Sequence, residues 1–150
     1  VAAGNQIRQL PPSLGKLQRL RKLDVSRNLV SDLSHQICSM TDLGEIRLRN
    51  NSIVNVSETI SDMPALRLMD LGENKIEKVP LVVIDSWVNL TSLWLDSNRL
   101  TNVPKSVGRC TSMTILDVSN NMIKTLPVEI AGMASLETLD VRNNELKNLP

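Results

Sequence analysis

The chain has no phenylalanine and no tyrosine, and its only tryptophans are Trp87 and Trp94. Proteins that stack single-stranded nucleic acid on aromatic rings need several such side chains, so the composition argues against that class. Basic residues number 17 against 16 acidic ones, for a net charge of +1, and no Lys/Arg block reaches five. That leaves no electrostatic footprint for nucleic acid or an anionic membrane. No apolar run approaches the roughly 18 residues of a membrane span. The opening residues, Val-Ala-Ala-Gly-Asn-Gln, do not read as a signal peptide. No glycine-rich phosphate loop of the G-x-G-x-x-G or G-x-x-x-x-G-K-[ST] kind occurs. There is one histidine, His35, on a return arm. Metal and nucleophile sites need several such groups converging, so His35 reads as a solvated loop residue. No catalytic residue, metal, cofactor or small-molecule substrate is expected.

What the chain does have is an asparagine that keeps returning. Asn5, Asn28, Asn51, Asn74, Asn98, Asn121 and Asn144 are separated by 23, 23, 23, 24, 23 and 23 residues. Each stands at the end of a frame L-x-x-L-x-L-x-x-N, as in Leu20, Leu23, Val25, Asn28. A fixed period of this length marks a solenoid, in which each coil buries its apolar side only against its neighbours. The expected fold is an α/β solenoid, a right-handed superhelix. It carries a parallel β-sheet on its concave face and loops with short 3₁₀ or helical turns on its convex face. Residues 1–150 read as a single array of about seven repeats, the first and last partial. The chain opens inside a strand (Val1-Ala2-Ala3) and stops inside a return arm at Pro150, so a piece of a longer array is expected.

Each repeat resolves into three parts. A short strand such as Leu93-Trp94-Leu95 puts Leu93 and Leu95 inward and Trp94 outward, because strand side chains alternate. The turn then carries its Asn, whose amide both donates and accepts and can join backbone groups of adjacent coils into a ladder. Last comes a return arm, L-P-x-x-h-x-x-h, as in Leu126, Pro127, Ile130 and Met133, with spacing that suggests a single helical turn. The arms at Leu33-Ser34 and Val56-Ser57 lack proline and should be looser. An inward column of Leu17, Met40, Met63, Trp87, Cys110 and Met133 reads as core. Trp87 lies in the one repeat with an added residue and is expected to fill the room that residue makes.

Cys110 falls at an inward position and Cys38 at an outward one, three repeats apart. At about 4.8 Å per strand that is at least ~14 Å, beyond the ~7 Å reach of a disulfide. Two unpaired thiols favour a reducing compartment, hence a cytoplasmic location, with an extracellular one as the alternative. Sequons at Asn50, Asn55 and Asn89 are close to the number, about two, that chance gives, and carry little weight.

The repeat unit L-x-x-L-x-L-x-x-N-x-[LI]-x-x-[LV]-P resembles the short 23-residue class of leucine-rich repeats over the whole chain. It is similar to that of plant Ras-group repeat proteins, the Ras suppressor and scaffold group, Scribble-type scaffolds and the repeat regions of Roco kinases. The resemblance implies protein–protein scaffolding in signalling, with a signalling protein such as a small GTPase as partner. The cysteine-rich end caps of extracellular members are missing from this sequence.

Solenoids of this kind bind on the concave sheet. Its outward positions lie six, four and two residues before each Asn. The column four before holds Asp24, Arg47, Asp70, Trp94, Asp117 and Asp140. Its four carboxylates sit on an open, wet face, where nothing shifts them for acid–base work, and Asp there also fits the family unit L-D-[LV]-S-x-N. Against this polar background Leu68, Trp94 and Ile115 form an apolar island about 10–15 Å across. Arg47 and Arg49 flank it, and Asp70, Asp96 and Asp117 surround it. An aromatic anchor ringed by charge is the composition of an interface hot spot. The chain is therefore expected to be a protein-interaction module using Arg47, Arg49, Leu68, Asp70, Trp94, Asp96, Ile115 and Asp117. The regulatory repeat region of a larger enzyme (a kinase, GTPase-kinase or phosphatase) and a receptor ectodomain stay open as alternatives.

Overall fold

The computed structural model describes residues 1–150 except Ser34, Thr59, Ser61 and Asp62, and except the side chains of His35, Gln36 and Leu81. The expectation for the His35 side chain therefore lies outside the described residues. Eight short strands follow in chain order: β1 (Lys22–Asp24), β2 (Asp32–Leu33), β3 (Glu45–Arg47), β4 (Asn55–Val56), β5 (Leu68–Asp70), β6 (Ser92–Trp94), β7 (Ile115–Asp117) and β8 (Thr138–Asp140). Six of them form one all-parallel sheet in the order β1-β3-β5-β6-β7-β8. Each of these strands advances to its neighbour by one repeat, so equivalent residues stand side by side: Leu23 by Ile46, Ile46 by Met69, Met69 by Leu93. The backbone of Ala2 and Gly4 runs alongside β1, donating to the carbonyls of Asp24 (2.7 Å) and Ser26 (2.9 Å).

Alternation sets the two faces. The central residue of each strand points into the solenoid, and Ile46, Met69, Leu93 and Leu116 are buried. At the outermost coils the same column opens, with Leu139 38% exposed. Leu17 departs from the expected core column for the same reason. It is 51% exposed because only one coil packs on it, whereas Met40, Met63, Trp87, Cys110 and Met133 are buried as expected. Fully burying one such side chain contributes about 1.5–3 kcal/mol, so packing between coils is the main stabilising term.

Past each strand the chain turns through a residue with φ between 53° and 56° — Arg27, Asn50, Glu73, Ser97, Asn120 or Asn143 — placed just before the repeated asparagine. The return arms then begin in an extended proline (Pro11, Pro80, Pro104, Pro127; φ −60° to −70°) that serves as the N-cap of a short turn. A fixed φ near −65° suits that place. Among the described residues four arms carry five-residue 3₁₀ turns: Pro12–Lys16, His35–Ser39, Lys105–Arg109 and Val128–Gly132. The arm of the 24-residue repeat instead makes a six-residue α-helix, α1 (Leu81–Ser86). The added residue converts a 3₁₀ turn into an α-turn, with the Ile84 amide reaching back to Pro80 O at 3.4 Å. Trp87 follows directly and is 1% exposed.

The proline-free arms are not simply loose. Their described residues β2 and β4 pair as a second parallel ladder, Asp32 with Asn55 and Leu33 with Val56.

Candidate functional site

The asparagines hold the site's geometry. Asn98 shows the pattern: its Nδ2 donates to Leu71 O in the preceding coil and to Leu95 O in its own, both at 3.0 Å, while its Oδ1 accepts from Ile76 N at 2.9 Å. Asn28, Asn51, Asn74 and Asn121 repeat these bonds and are buried. Asn144 makes the same set half-buried. Asn5 differs, being exposed and bonding only its own coil through Ala2 O and Ala3 O.

The aspartates of the outward column shape the next turn. Asp24, Asp70, Asp117 and Asp140 each accept through Oδ1 from the backbone N–H two residues on, at 2.9–3.1 Å. That is a structural use of four carboxylates. Trp94 occupies this column in β6 and sits between Asp70 and Asp117 in register. One step up the same face, Ser92 lies between Leu68 and Ile115. Leu68, Trp94 and Ile115 are thus brought together around the small Ser92. All three are half-buried rather than exposed, because adjacent strands press their side chains against one another.

The charged members of the site divide. Arg47 lies one strand from the island and pairs with Glu45 (3.4 Å). Arg49 does not flank the island as a free cation. It reaches two coils along the sheet and grips Asp96 with both nitrogens, Nη1 to Oδ1 at 2.8 Å and Nη2 to Oδ2 at 2.6 Å. It also approaches Asp70 (3.6 Å) and Glu73 (3.4 Å). Asp96 is 6% exposed and is spent on this pair. Burial pushes the carboxyls of both Asp70 and Asp96 above the usual range, against the opposing pull of Arg49.

Gly72, between them in the same column, went unnoticed in the sequence. A Cβ there would lie 2.8 Å from Arg49 Cζ and overlap Nη1. Its signal was legible as a residue without a side chain standing between opposite charges in one column. On the convex side an open groove is lined by Asp85, Lys105, Ser106, Arg109 and Glu129, whose charges already pair as Asp85–Arg109 (3.2 Å) and Lys105–Glu129 (3.8 Å). Among the described residues no group of three His, Cys, Asp or Glu could hold a metal ion, and no helix is long and apolar enough to cross a membrane.

Stacked parallel strands, an asparagine ladder and short return turns define a repeat solenoid. The chain belongs to the leucine-rich repeat family: the family model matches residues 18–76 and 88–146. Repeats of this family are generally non-catalytic. Among curated proteins it is 27% identical over 114 residues to the probable inactive serine/threonine-protein kinase roco10 of Dictyostelium discoideum, covering 74% of this chain. It is 31% identical over 103 residues to the human volume-regulated anion channel subunit LRRC8A, covering 67% of this chain. The chain spans only 4% and 13% of those two proteins' lengths. Among solved structures it superposes on a plant peptide hormone receptor, RGFR1 in complex with RGF2, with a TM-score of 0.82 and 25% identity. That match covers 95% of this chain and 23% of the receptor chain.

Proposed function

We propose that this chain is a protein-interaction module that holds a signalling partner on its sheet face, around Leu68, Trp94 and Ile115, with Arg47, Asp70 and Asp117 at the margin. The carrying observation is the apolar cluster on an otherwise polar sheet, gathered around the small Ser92. Grouped apolar side chains outside the core mark recognition surfaces. Arg49 and Asp96 support the face by fixing its floor rather than by meeting the partner. The receptor neighbour, captured with RGF2, supports a recognition role for this fold. Cys110 is a buried thiol outside any disulfide, which supports a reducing, cytoplasmic setting.

A second reading is a regulatory repeat region in a larger enzyme, favoured by the likeness to roco10, of which this stretch matches only 4%. The receptor reading has its own check, since Asn50, Asn55 and Asn89 are all exposed. Glycan mass at any of them after expression in a secretory host would favour it.

The test is affinity capture with the chain, a Trp94→Ala variant and a convex-face Val82→Ala variant on matched beads. Partners retained by the parent and Val82→Ala but lost with Trp94→Ala are the expected result. Identical capture by all three would reject the sheet-face reading.

A further inference from the structure

We propose that the partner presents an arginine that stacks on the Trp94 indole and forks onto the Asp117 carboxylate. The inference rests on the sheet-face reading above and names the chemistry that the face would recognise. Its basis is how charge is distributed. The three outward columns, six, four and two residues before each Asn, hold four basic side chains (Lys22, Arg47, Arg49, Arg142) and six acidic ones (Asp24, Glu45, Asp70, Asp96, Asp117, Asp140). The face is acidic on a chain whose net charge is +1.

Each of those cations is already engaged. Lys22 pairs with Glu45 at 3.1 Å and Arg47 with the same carboxylate at 3.4 Å. Arg49 is held by Asp96. Arg142 Nε sits 3.0 Å from both oxygens of Asp140. Among the described residues two acids of the face have no ion pair, Asp24 and Asp117. Asp24 lies beside Arg47, its register partner, and feels the charges of Arg47 and Lys22. Asp117 has Trp94 on one side and Asp140 on the other; the nearest cation, Arg142, is spent on Asp140 and reaches Asp117 only through space. Its Oδ1 accepts from Ser119 N at 2.9 Å, and Oδ2 accepts no hydrogen bond among the described residues.

So the open carboxylate of the face stands in register with its only ring. A cation over an indole is attracted to the ring face. A guanidinium, planar and forked, stacks there and meets a neighbouring carboxylate edge-on in a way that an ammonium does not. Ile115, two residues before Asp117 on the same strand face, gives the arginine's methylene stem an apolar rest.

The probe is the tripeptide acetyl-Gly-Arg-Gly-amide, with its citrulline counterpart as the neutral isostere. The readout is the pair of ¹⁵N-labelled tryptophan indole resonances of the whole chain. Trp87, buried, is the internal control for folding. The arginine peptide should shift the Trp94 signal saturably and leave Trp87 unmoved. The citrulline peptide, or Asp117→Asn with the arginine peptide, should bind about tenfold more weakly. Asparagine keeps the oxygen that accepts from Ser119, so the variant retains its turn. A still Trp94 signal, or equal curves for both peptides or for Asp117→Asn, would overturn the proposal. Failure here is separable from failure of the sheet-face reading. A partner lost with Trp94→Ala yet captured undiminished by Asp117→Asn leaves the face standing and removes the arginine.

Discussion

Arg49 passes over Gly72 to hold Asp96 two coils away, 47 residues along the chain, with two nitrogen–oxygen contacts of 2.8 and 2.6 Å. Most contacts in a solenoid join neighbouring coils. This one skips a coil and ties three together, and it does so because the intervening residue has no side chain to stand in the way.

A double-mutant cycle on Arg49→Met and Asp96→Asn should give a coupling of about 1–2 kcal/mol, discounted because Arg49 remains a third exposed. Gly72→Ala should erase most of that coupling by pushing the guanidinium aside. Gly44→Ala is the control, since a Cβ there meets only Ala65 O at 3.5 Å and Arg21 O at 3.7 Å and should change stability by under about 0.5 kcal/mol. Equal effects of the two glycine variants in chemical denaturation would reject the bridging role of Gly72.

Along the ladder the effect of substitution should follow position. Asn98→Ala leaves the Ile76 amide and the Leu71 and Leu95 carbonyls without that side chain, a loss of about 1–3 kcal/mol. Asn5→Ala, exposed and bonded only within its own coil, should change stability by less than about 0.5 kcal/mol. Urea midpoints for the two variants decide it, and similar losses would mean the inter-coil bonds do not carry the stability.

Cys110 gives the fold an alkaline limit. Burial, with a smaller push from Asp85, lifts its thiol from 9.0 to about 11. A folded value above the unfolded one means stability fully present below about pH 9 and lost as pH rises through 11. Two units correspond to about 2–3 kcal/mol at the far end. Cys110→Ala should therefore lose less stability than the parent between pH 9 and 11. At pH 8 a thiol reagent should leave Cys110 unreacted until the chain is unfolded. Rapid native labelling of Cys110, or parallel alkaline profiles, would contradict this.

Much of this was legible because the determinants are local and periodic. The 23-residue return of Asn fixed the coil length, and alternation within strands such as Leu93-Trp94-Leu95 separated core from surface. The inward placement of Met40, Met63, Trp87 and Cys110 followed from the same register. The column order Arg49, Gly72, Asp96 was legible, but the bridge itself was not, because the reach of a side chain across two coils is not set by the repeat frame. The β2–β4 ladder was not legible, because a two-residue pairing is too short to show an alternation. The half-burial of Trp94 depends on neighbouring strands that a one-strand pattern does not contain.

That half-burial changes what Trp94→Ala should do to the fold. A side chain partly packed between Asp70 and Asp117 should cost about 1 kcal/mol of stability on truncation, whereas a fully exposed one would cost almost nothing. Thermal or urea unfolding measures this directly. A loss near zero would show the ring standing free of its neighbours, and a loss above about 3 kcal/mol would place it in the core.

The most direct test of the central claim is site-specific photo-crosslinking, with a photoreactive residue at Ser92, between Leu68 and Ile115, or at Val82 on the convex helix. The account predicts covalent capture of partner from position 92 and none from position 82. Capture from position 82 with position 92 silent would contradict it and move the binding surface to the return arms.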